Sequence, residues 1–361
     1  MEKLRNLKEA VCSWENLLEA YREAAKDKRY REEIIRYSYR LEENLLELQE
    51  ALRSETYRMG TYREFFVKYP KPRLVMAIGF RDRIVQHAIY RQMNPYVDKR
   101  FYEHSYGCRE GKGSLRAALK LLEWVRLYAR KADAKNWVLI KDDISKYFYR
   151  VDHKKILDCY REITDDEWFL RLIGRIIDGG NIAFGLPLGQ DVDLPRAQWL
   201  RDKGMPIGNL TSQETANMYL DRLDRFVKRV LRVKHYIRYM DDFILIVRRE
   251  DAEGVQERIT AFLREELLLE LSGKSRTLPL LRGCEFVGYR VTPPGLRLRK
   301  KTTKHMKAAL RQLEELVESG EVDVEKARSG ATSYLGMLKK CNGEYMRRWI
   351  RENIKFMEEA A

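Results

Sequence analysis

The stretch His235-Tyr236-Ile237-Arg238-Tyr239-Met240-Asp241-Asp242-Phe243-Ile244-Leu245-Ile246-Val247 has the pattern strand, turn, strand, with two adjacent acids at its tip. Tyr, Ile, Phe and Val suit extended backbone and aspartate does not, so the turn is expected at the acid pair. A turn needing only tight geometry favours Asn-Gly or Asp-Gly. Side-by-side carboxylates also repel unless a cation neutralises them. Two readings therefore stand, a plain turn or a metal site.

A second strand end carries acids as well. The apolar run Trp137-Val138-Leu139-Ile140-Lys141 leads into Asp142-Asp143-Ile144-Ser145-Lys146-Tyr147-Phe148. Mg²⁺ prefers oxygen ligands and is often held by one or two carboxylates plus substrate phosphates. Two such ions can activate a primer 3′-hydroxyl and stabilise a pyrophosphate leaving group. An acid at one strand end and a pair at a hairpin tip can supply carboxylates that meet in space. A third element, Gly204-Met205-Pro206-Ile207-Gly208-Asn209-Leu210-Thr211-Ser212-Gln213, has small residues and a proline that let backbone approach a substrate. Its plainer reading is a loop with Ser212 as helix N-cap.

The 361 residues exceed one small domain, and 44% hydrophobic residues suffice for a sizeable core. Lys plus Arg is 70 against 55 Asp plus Glu, a formal +15 that favours a polyanionic partner such as nucleic acid. No apolar run approaches the roughly 20 residues of a membrane span, and the start lacks a signal-peptide core. The five cysteines (Cys12, Cys108, Cys159, Cys284, Cys341) form no CxxC pair, and the five histidines form no HExxH. Reduced thiols in a cytoplasmic protein are expected, and zinc chemistry is not.

Apolar residues at steps of three and four predict two helices in the first fifty-odd residues, with a turn at Lys26-Asp27-Lys28-Arg29. Short strands are expected at Glu64–Lys68 and Arg73–Ala77, and helices from about Asp82, after Asp152, and over Ser212–Val230. Thr164-Asp165-Asp166-Glu167 has the form of a capping box. Residues 179–203 form a connecting excursion whose glycines lack the order of a nucleotide P-loop. Between Pro293 and Arg311 stand seven Lys or Arg and no acid. Met306, Leu310, Leu313 and Val317 make a helical apolar stripe beneath them.

In this order, strand-end Asp, Gly-containing loop into helix, and Tyr-x-Asp-Asp hairpin resemble the palm of reverse transcriptases. The form Ile207-Gly208-x-x-x-Ser212-Gln213 narrows the resemblance to the diversity-generating retroelement enzymes of bacteria and phages. Ser13-Trp14-Glu15-Asn16-Leu17-Leu18, Tyr62-Arg63-Glu64-Phe65, Lys71-Pro72-Arg73, Asp82-Arg83-Ile84-Val85-Gln86-His87, His104–Gly113 and Phe286-Val287-Gly288-Tyr289 resemble the same family. The resemblance implies an α+β right-hand polymerase. Residues 1–55 would brace the fingers (56–135), a ferredoxin-like palm (136–292) would carry the hairpin, and a basic helical thumb (293–361) would grip duplex.

The resemblance also implies roles. Asp143, Asp241 and Asp242 become catalytic ligands of two Mg²⁺ ions, with Mn²⁺ as a substitute. Asp143 is preferred to Asp142 because Phe148 then falls at the family's sugar gate. Lys71 and Arg73 would clamp the dNTP triphosphate, Ile207, Gly208 and Gln213 would lie beside the nascent pair, and Lys274 would stand near pyrophosphate. Arg109 and Lys112 lie in a family motif that contacts nucleotide or nucleic acid. Phe286, Gly288 and Tyr289 match the primer grip, and Arg297, Arg299, Lys300, Lys301, Lys304 and Lys307 would contact phosphates. Ile207 stands where many relatives have Gln, which agrees with error-prone copying.

Expected partners are template RNA, an RNA/DNA duplex, and a small basic accessory protein, with no membrane. The residues after Pro293 lack the acids of an RNase H site, so priming and RNA removal are expected to need other proteins. Two other uses fit: an antiviral reverse transcriptase of abortive-infection type, and a catalytically dead RNA-binding scaffold.

Overall fold

The computed structural model describes residues 2–67, 73–180 and 182–360. In chain order come helices α1 (Leu7–Cys12), α2 (Trp14–Ala25), α3 (Glu32–Ser38) and α4 (Leu41–Arg53), then strands β1 (Arg63–Val67) and β2 (Arg73–Ala77). Helices α5 (Phe80–Val97) and α6 (Ser114–Ala129) precede strand β3 (Trp137–Asp143). Helices α7 (Tyr147–Arg150), α8 (His153–Arg161), α9 (Glu167–Asp178) and α10 (Leu210–Arg225) follow. Strands β4 (His235–Tyr239) and β5 (Asp242–Arg248) lead to α11 (Ala252–Glu266) and β6 (Arg276–Pro279). Then come β7 (Cys284–Phe286), β8 (Tyr289–Thr292), β9 (Gly295–Leu298), α12 (Lys300–Glu318), α13 (Val324–Leu338) and α14 (Glu344–Asn353). Helix and sheet are mixed, as the α+β class requires. Among the described residues no helix is long and apolar enough to cross a membrane.

Two compact units form. The first comprises Met1–Glu103, Asp143–Leu231 and Glu257–Lys274. Helix α5 is its axis, with α2 and α10 packed on it. Leu17, Ala20 and Ala24 of α2 and Ile84, Val85 and Ala88 of α5 are buried, the three-and-four spacing that puts one face inward. Each buried Leu, Ile or Val contributes roughly 1.5–3 kcal/mol.

Four helices occupy the N-terminal segment where two are expected. Ser13 is extended and its hydroxyl accepts the Asn16 amide at 3.2 Å, ending α1 and capping α2. Arg40 leaves helical backbone (φ −126°, ψ 46°) between α3 and α4. The expected capping box also shifts. Thr164 Oγ1 donates to the Leu4 carbonyl at 2.8 Å, and Asp166 caps α9 by accepting the Phe169 amide at 3.0 Å. Long-range pairing outcompetes the local motif.

The 179–203 excursion packs under β2. Phe184, Leu186 and Trp199 form one buried cluster with Leu74 and Met76. Gly185 pairs with Leu200, Arg196 bridges to Glu64 at 2.7 Å, and Lys146 pairs with Asp191. The segment buttresses the β1–β2 hairpin.

The second unit comprises His104–Asp142, Arg232–Gln256 and Ser275–Ala361. Its four-stranded sheet has the order β4-β5-β3-β6, with β4/β5 and β3/β6 antiparallel. The chain passes from β3 through α7–α10 to β4 and β5, and through α11 to β6, and β5 comes to lie beside β3. A second sheet, β7-β8-β9, is antiparallel throughout. Leu121 and Val125 of α6, Ile237, Ile244, Phe286, Tyr289, Met306, Leu310 and Trp349 share one core. The helical segment expected from Pro293 begins later, because Gly295–Leu298 pairs with β8 and buries Leu296 before α12 starts at Lys300.

Candidate active site

The acids stand where β4 and β5 meet. Tyr239 pairs with Asp242, so the two-residue turn is Met240–Asp241 and Asp242 is already the first residue of β5. The turn lies one residue earlier than the strand propensities predict. Both acids are half-buried. The Lys141 ammonium, on β3, lies 4.0 Å from Asp242 Oδ1 and donates to the Glu285 carbonyl at 2.8 Å, so a fixed cation offsets part of the repulsion. Behind the tip Arg238 is fully buried and donates from Nη1 to the Met240 carbonyl at 3.2 Å. Its backbone accepts from Tyr106 at 2.9 Å and donates to His104 at 3.0 Å.

Asp143 ends β3 and is half-buried. Strand alternation turns its neighbour Asp142 to the other face. There Asp142 is fully buried and both its oxygens accept from Gln256 Nε2 at 3.1 Å. Burial lifts the Asp142 carboxyl to about 6, against the pull of hydrogen bonds from Gln256 and Ser275. Asp142 is structurally engaged.

Among the described residues no three Asp, Glu, His or Cys side chains gather into a metal-holding group. The tip alone offers two hard carboxylates. That donor set suits Mg²⁺, which takes one or two protein carboxylates and completes its shell from phosphate and water.

In the first unit, backbone bonds draw several expected nucleotide-side residues together. The Phe148 carbonyl, on α7, accepts from Met205 at 2.7 Å, and the Ile207 carbonyl accepts from Met76 of β2 at 3.1 Å. Gly208 follows at φ +121°, where a Cβ would stand 3.2 Å from Val75 Cγ1. Gln213 lies half-buried in the first turn of α10. Arg73 opens β2, and Lys71 lies outside the described residues. Lys274 is exposed, with its amide on Ser272 Oγ at 3.3 Å, and the Ser272 amide donates to the Asp143 carbonyl at 2.7 Å. Ser212 is buried inside α10 and does not cap it. Asn209 holds the N-cap position, and Gln86 Oε1 of α5 accepts the Leu210 amide at 2.9 Å.

In the second unit the expected nucleic-acid residues divide. Arg109 donates to the Ser105 carbonyl at 3.0 Å, and the Lys112 ammonium sits 5.3 Å from the Tyr106 ring centre. Phe286 and Tyr289 are core side chains, 1% and 0% exposed, so neither side chain is available to a primer as expected. Alternation on a sheet packed against α6 buries both. The Gly288 carbonyl accepts the Arg299 amide at 3.0 Å and the Thr302 hydroxyl at 3.1 Å. Arg297 is an exposed strand residue on β9, opposite Arg290. Lys300, Lys301 and Lys304 are exposed on α12, and Arg299 is half-buried at its cap. Desolvation and the charges of Lys301, Lys304 and Arg299 hold the His305 imidazole below its usual pKa. Lys307 is committed elsewhere, donating to Tyr345 Oη at 2.8 Å and lying 4.6 Å from the Trp349 ring centre.

Three supporting residues escaped the reading of the sequence as chemistry. Arg238 sits inside the hairpin run, where a charged residue flanked by Ile and Tyr was a signal. Gln86 lies in a stretch noted only for resemblance. Gln256 had no signal, since its partner is 114 positions away.

Residues 68–291 match the family described as Reverse transcriptase (RNA-dependent DNA polymerase). Protein YkfC of Escherichia coli (strain K12) is 27% identical over 296 residues, covering 73% of this chain and 70% of that protein. Group II intron-encoded protein LtrA of Lactococcus lactis subsp. cremoris is 20% identical over 318 residues, covering 69% of this chain and 49% of LtrA. The chain thus spans about half the length of LtrA. The solved structure of telomerase from Candida albicans, in complex with a fragment of telomeric RNA, overlaps 78% of this chain and 55% of that one at 11% identity and a TM-score of 0.47. The family match covers more than half of the residues, including Asp143, Asp241 and Asp242, and the chain belongs to the reverse transcriptase family of RNA-dependent DNA polymerases.

Proposed function

We propose that the chain makes error-prone cDNA from a retroelement template RNA, as the enzymes of diversity-generating retroelements do. The observation that carries the polymerase reading is the hairpin. The two-residue turn Met240–Asp241 sets Asp241 beside Asp242 at the start of β5, and the strand beside β5 ends in a third acid, Asp143. The retroelement reading is supported by Ile207-Gly208-x-x-x-Ser212-Gln213.

In this reading residues 56–135 act as fingers, 136–292 as palm and 293–361 as thumb, with 1–55 as brace. Asp143, Asp241 and Asp242 would hold two Mg²⁺ ions, or Mn²⁺ in their place, which when bound lower the proton affinity of the primer hydroxyl and offset phosphate charge. The primer 3′-hydroxyl gives its proton to solvent, its oxygen bonds to the α-phosphorus of a dNTP, the bond to the β-phosphate breaks, and pyrophosphate leaves. The chain's own part is positioning. Lys71 and Arg73 hold triphosphate, Phe148 excludes a 2′-hydroxyl, and Lys274 faces the leaving group. Ile207 offers the nascent pair an apolar side chain with no hydrogen bond, which relaxes discrimination. Gly288 supports the primer end, and Arg297, Lys300, Lys301 and Lys304 take duplex phosphates. The cell would be bacterial, with a structured RNA and a small basic accessory protein as partners.

The test is Asp241→Asn in a dNTP-incorporation assay on poly(rA)/oligo(dT). Loss of incorporation with an unchanged melting temperature is expected. Activity equal to wild type would refute the assignment.

A further inference from the structure

We infer that Gly107 and Met240 form a brace that sets the position of the acid pair, which makes Gly107 a positioning residue for nucleotide addition. This rests on the polymerase reading above. Met240 is held at φ +54°, a left-handed conformation that residues with a side chain disfavour. Something must hold it there. Arg238 grips the Met240 carbonyl from inside the sheet at 3.2 Å, and the His104–Tyr106 backbone is hydrogen-bonded to Arg238 on both sides. That ladder delivers Gly107 directly against the turn.

The approach leaves no room for a side chain. A Cβ at position 107 would stand 2.5 Å from Met240 Cγ, 2.7 Å from its Sδ and 2.7 Å from its backbone nitrogen. The thioether can swing away. The backbone nitrogen is covalently tied to Asp241 and Asp242, so pushing it aside moves them as well. The strain of a single methyl group at 107 is therefore transmitted to the carboxylates.

The experiment compares wild type, Gly107→Ala and Gly107→Ala/Met240→Ala in the full chain. It measures kcat and KM for dTTP on poly(rA)/oligo(dT), the melting temperature, and Mn²⁺ broadening of the Met240 ε-methyl NMR signal (assigned by its loss in Met240→Leu). A displacement near 1 Å predicts a kcat about 100-fold lower in Gly107→Ala, with KM within about threefold. Mn²⁺ broadening should weaken in parallel. Deleting Cγ and Sδ in the double variant removes two of the three close approaches and should recover about tenfold of the lost rate.

Wild-type kcat and broadening in a folded Gly107→Ala protein would overturn the brace and leave the polymerase reading intact. A wild-type protein that neither adds nucleotide nor shows broadening would sink that reading, and the brace with it. If Gly107→Ala does not fold, the double variant decides: regained folding and activity support the brace, and failure of either overturns it.

Discussion

Glu214 gives the sharpest quantitative test of the fold. It lies in α10, 4% exposed, and neither carboxylate oxygen has a hydrogen-bond partner. Burial, with the charge of Asp98 adding to it, lifts its carboxyl from 4.5 to about 8. The unfolded chain releases this proton near the ordinary value and the folded chain only near 8. Between those values the folded state holds the extra proton, so stability falls as pH rises. At about 1.4 kcal/mol per decade, the loss is about 3 kcal/mol by pH 7 and levels off near about 5 above pH 8. Glu214→Gln keeps the shape of the protonated side chain and cannot ionise. The variant should match wild type at pH 4.5 and exceed it by about 3 kcal/mol at pH 7 and about 5 at pH 9. Urea unfolding of both proteins at these three pH values is the assay. A stability difference that does not change with pH would show that the folded protein carries Glu214 ionised at ordinary cost, and the reasoning would fail.

Other outcomes follow from the candidate site. Phe148→Val should raise rNTP use relative to dNTP by about tenfold or more, since removing one steric clash is worth about 1–3 kcal/mol; single-nucleotide incorporation kinetics measure this, and an unchanged ratio removes the gate. Replacing Lys300, Lys301 and Lys304 by Gln should make the log–log salt dependence of DNA-duplex binding shallower by about 0.9 per lysine. Lys307→Gln should leave that slope nearly unchanged and lower the melting temperature instead, because its ammonium is spent on Tyr345 and Trp349.

The legible parts of the fold were those with local causes. Alternating β-formers marked β4 and β5, an apolar run marked β3, and three-and-four spacing marked α2, α4 and α12. The rest depended on partners distant in sequence. Asp242 was placed in the turn by its poor strand propensity, yet pairing with Tyr239 and the nearby Lys141 hold it in β5. Thr164 looked like a cap because nothing local announced Leu4 as its partner. Phe286 and Tyr289 were assigned to a primer through resemblance, and their burial follows from which sheet face meets α6. The choice of Asp143 over Asp142 came from spacing to Phe148. In the structure Asp142 is enclosed by Gln256 on the opposite face.

One carbonyl oxygen, that of Gly288, receives both the amide that opens α12 and the hydroxyl one turn further along. Parting the turn from the helix would strand two donors at once. The turn and the start of the helix are therefore coupled, so in the proposed reading a shift of the primer support would be felt at the first turn of the duplex-gripping helix.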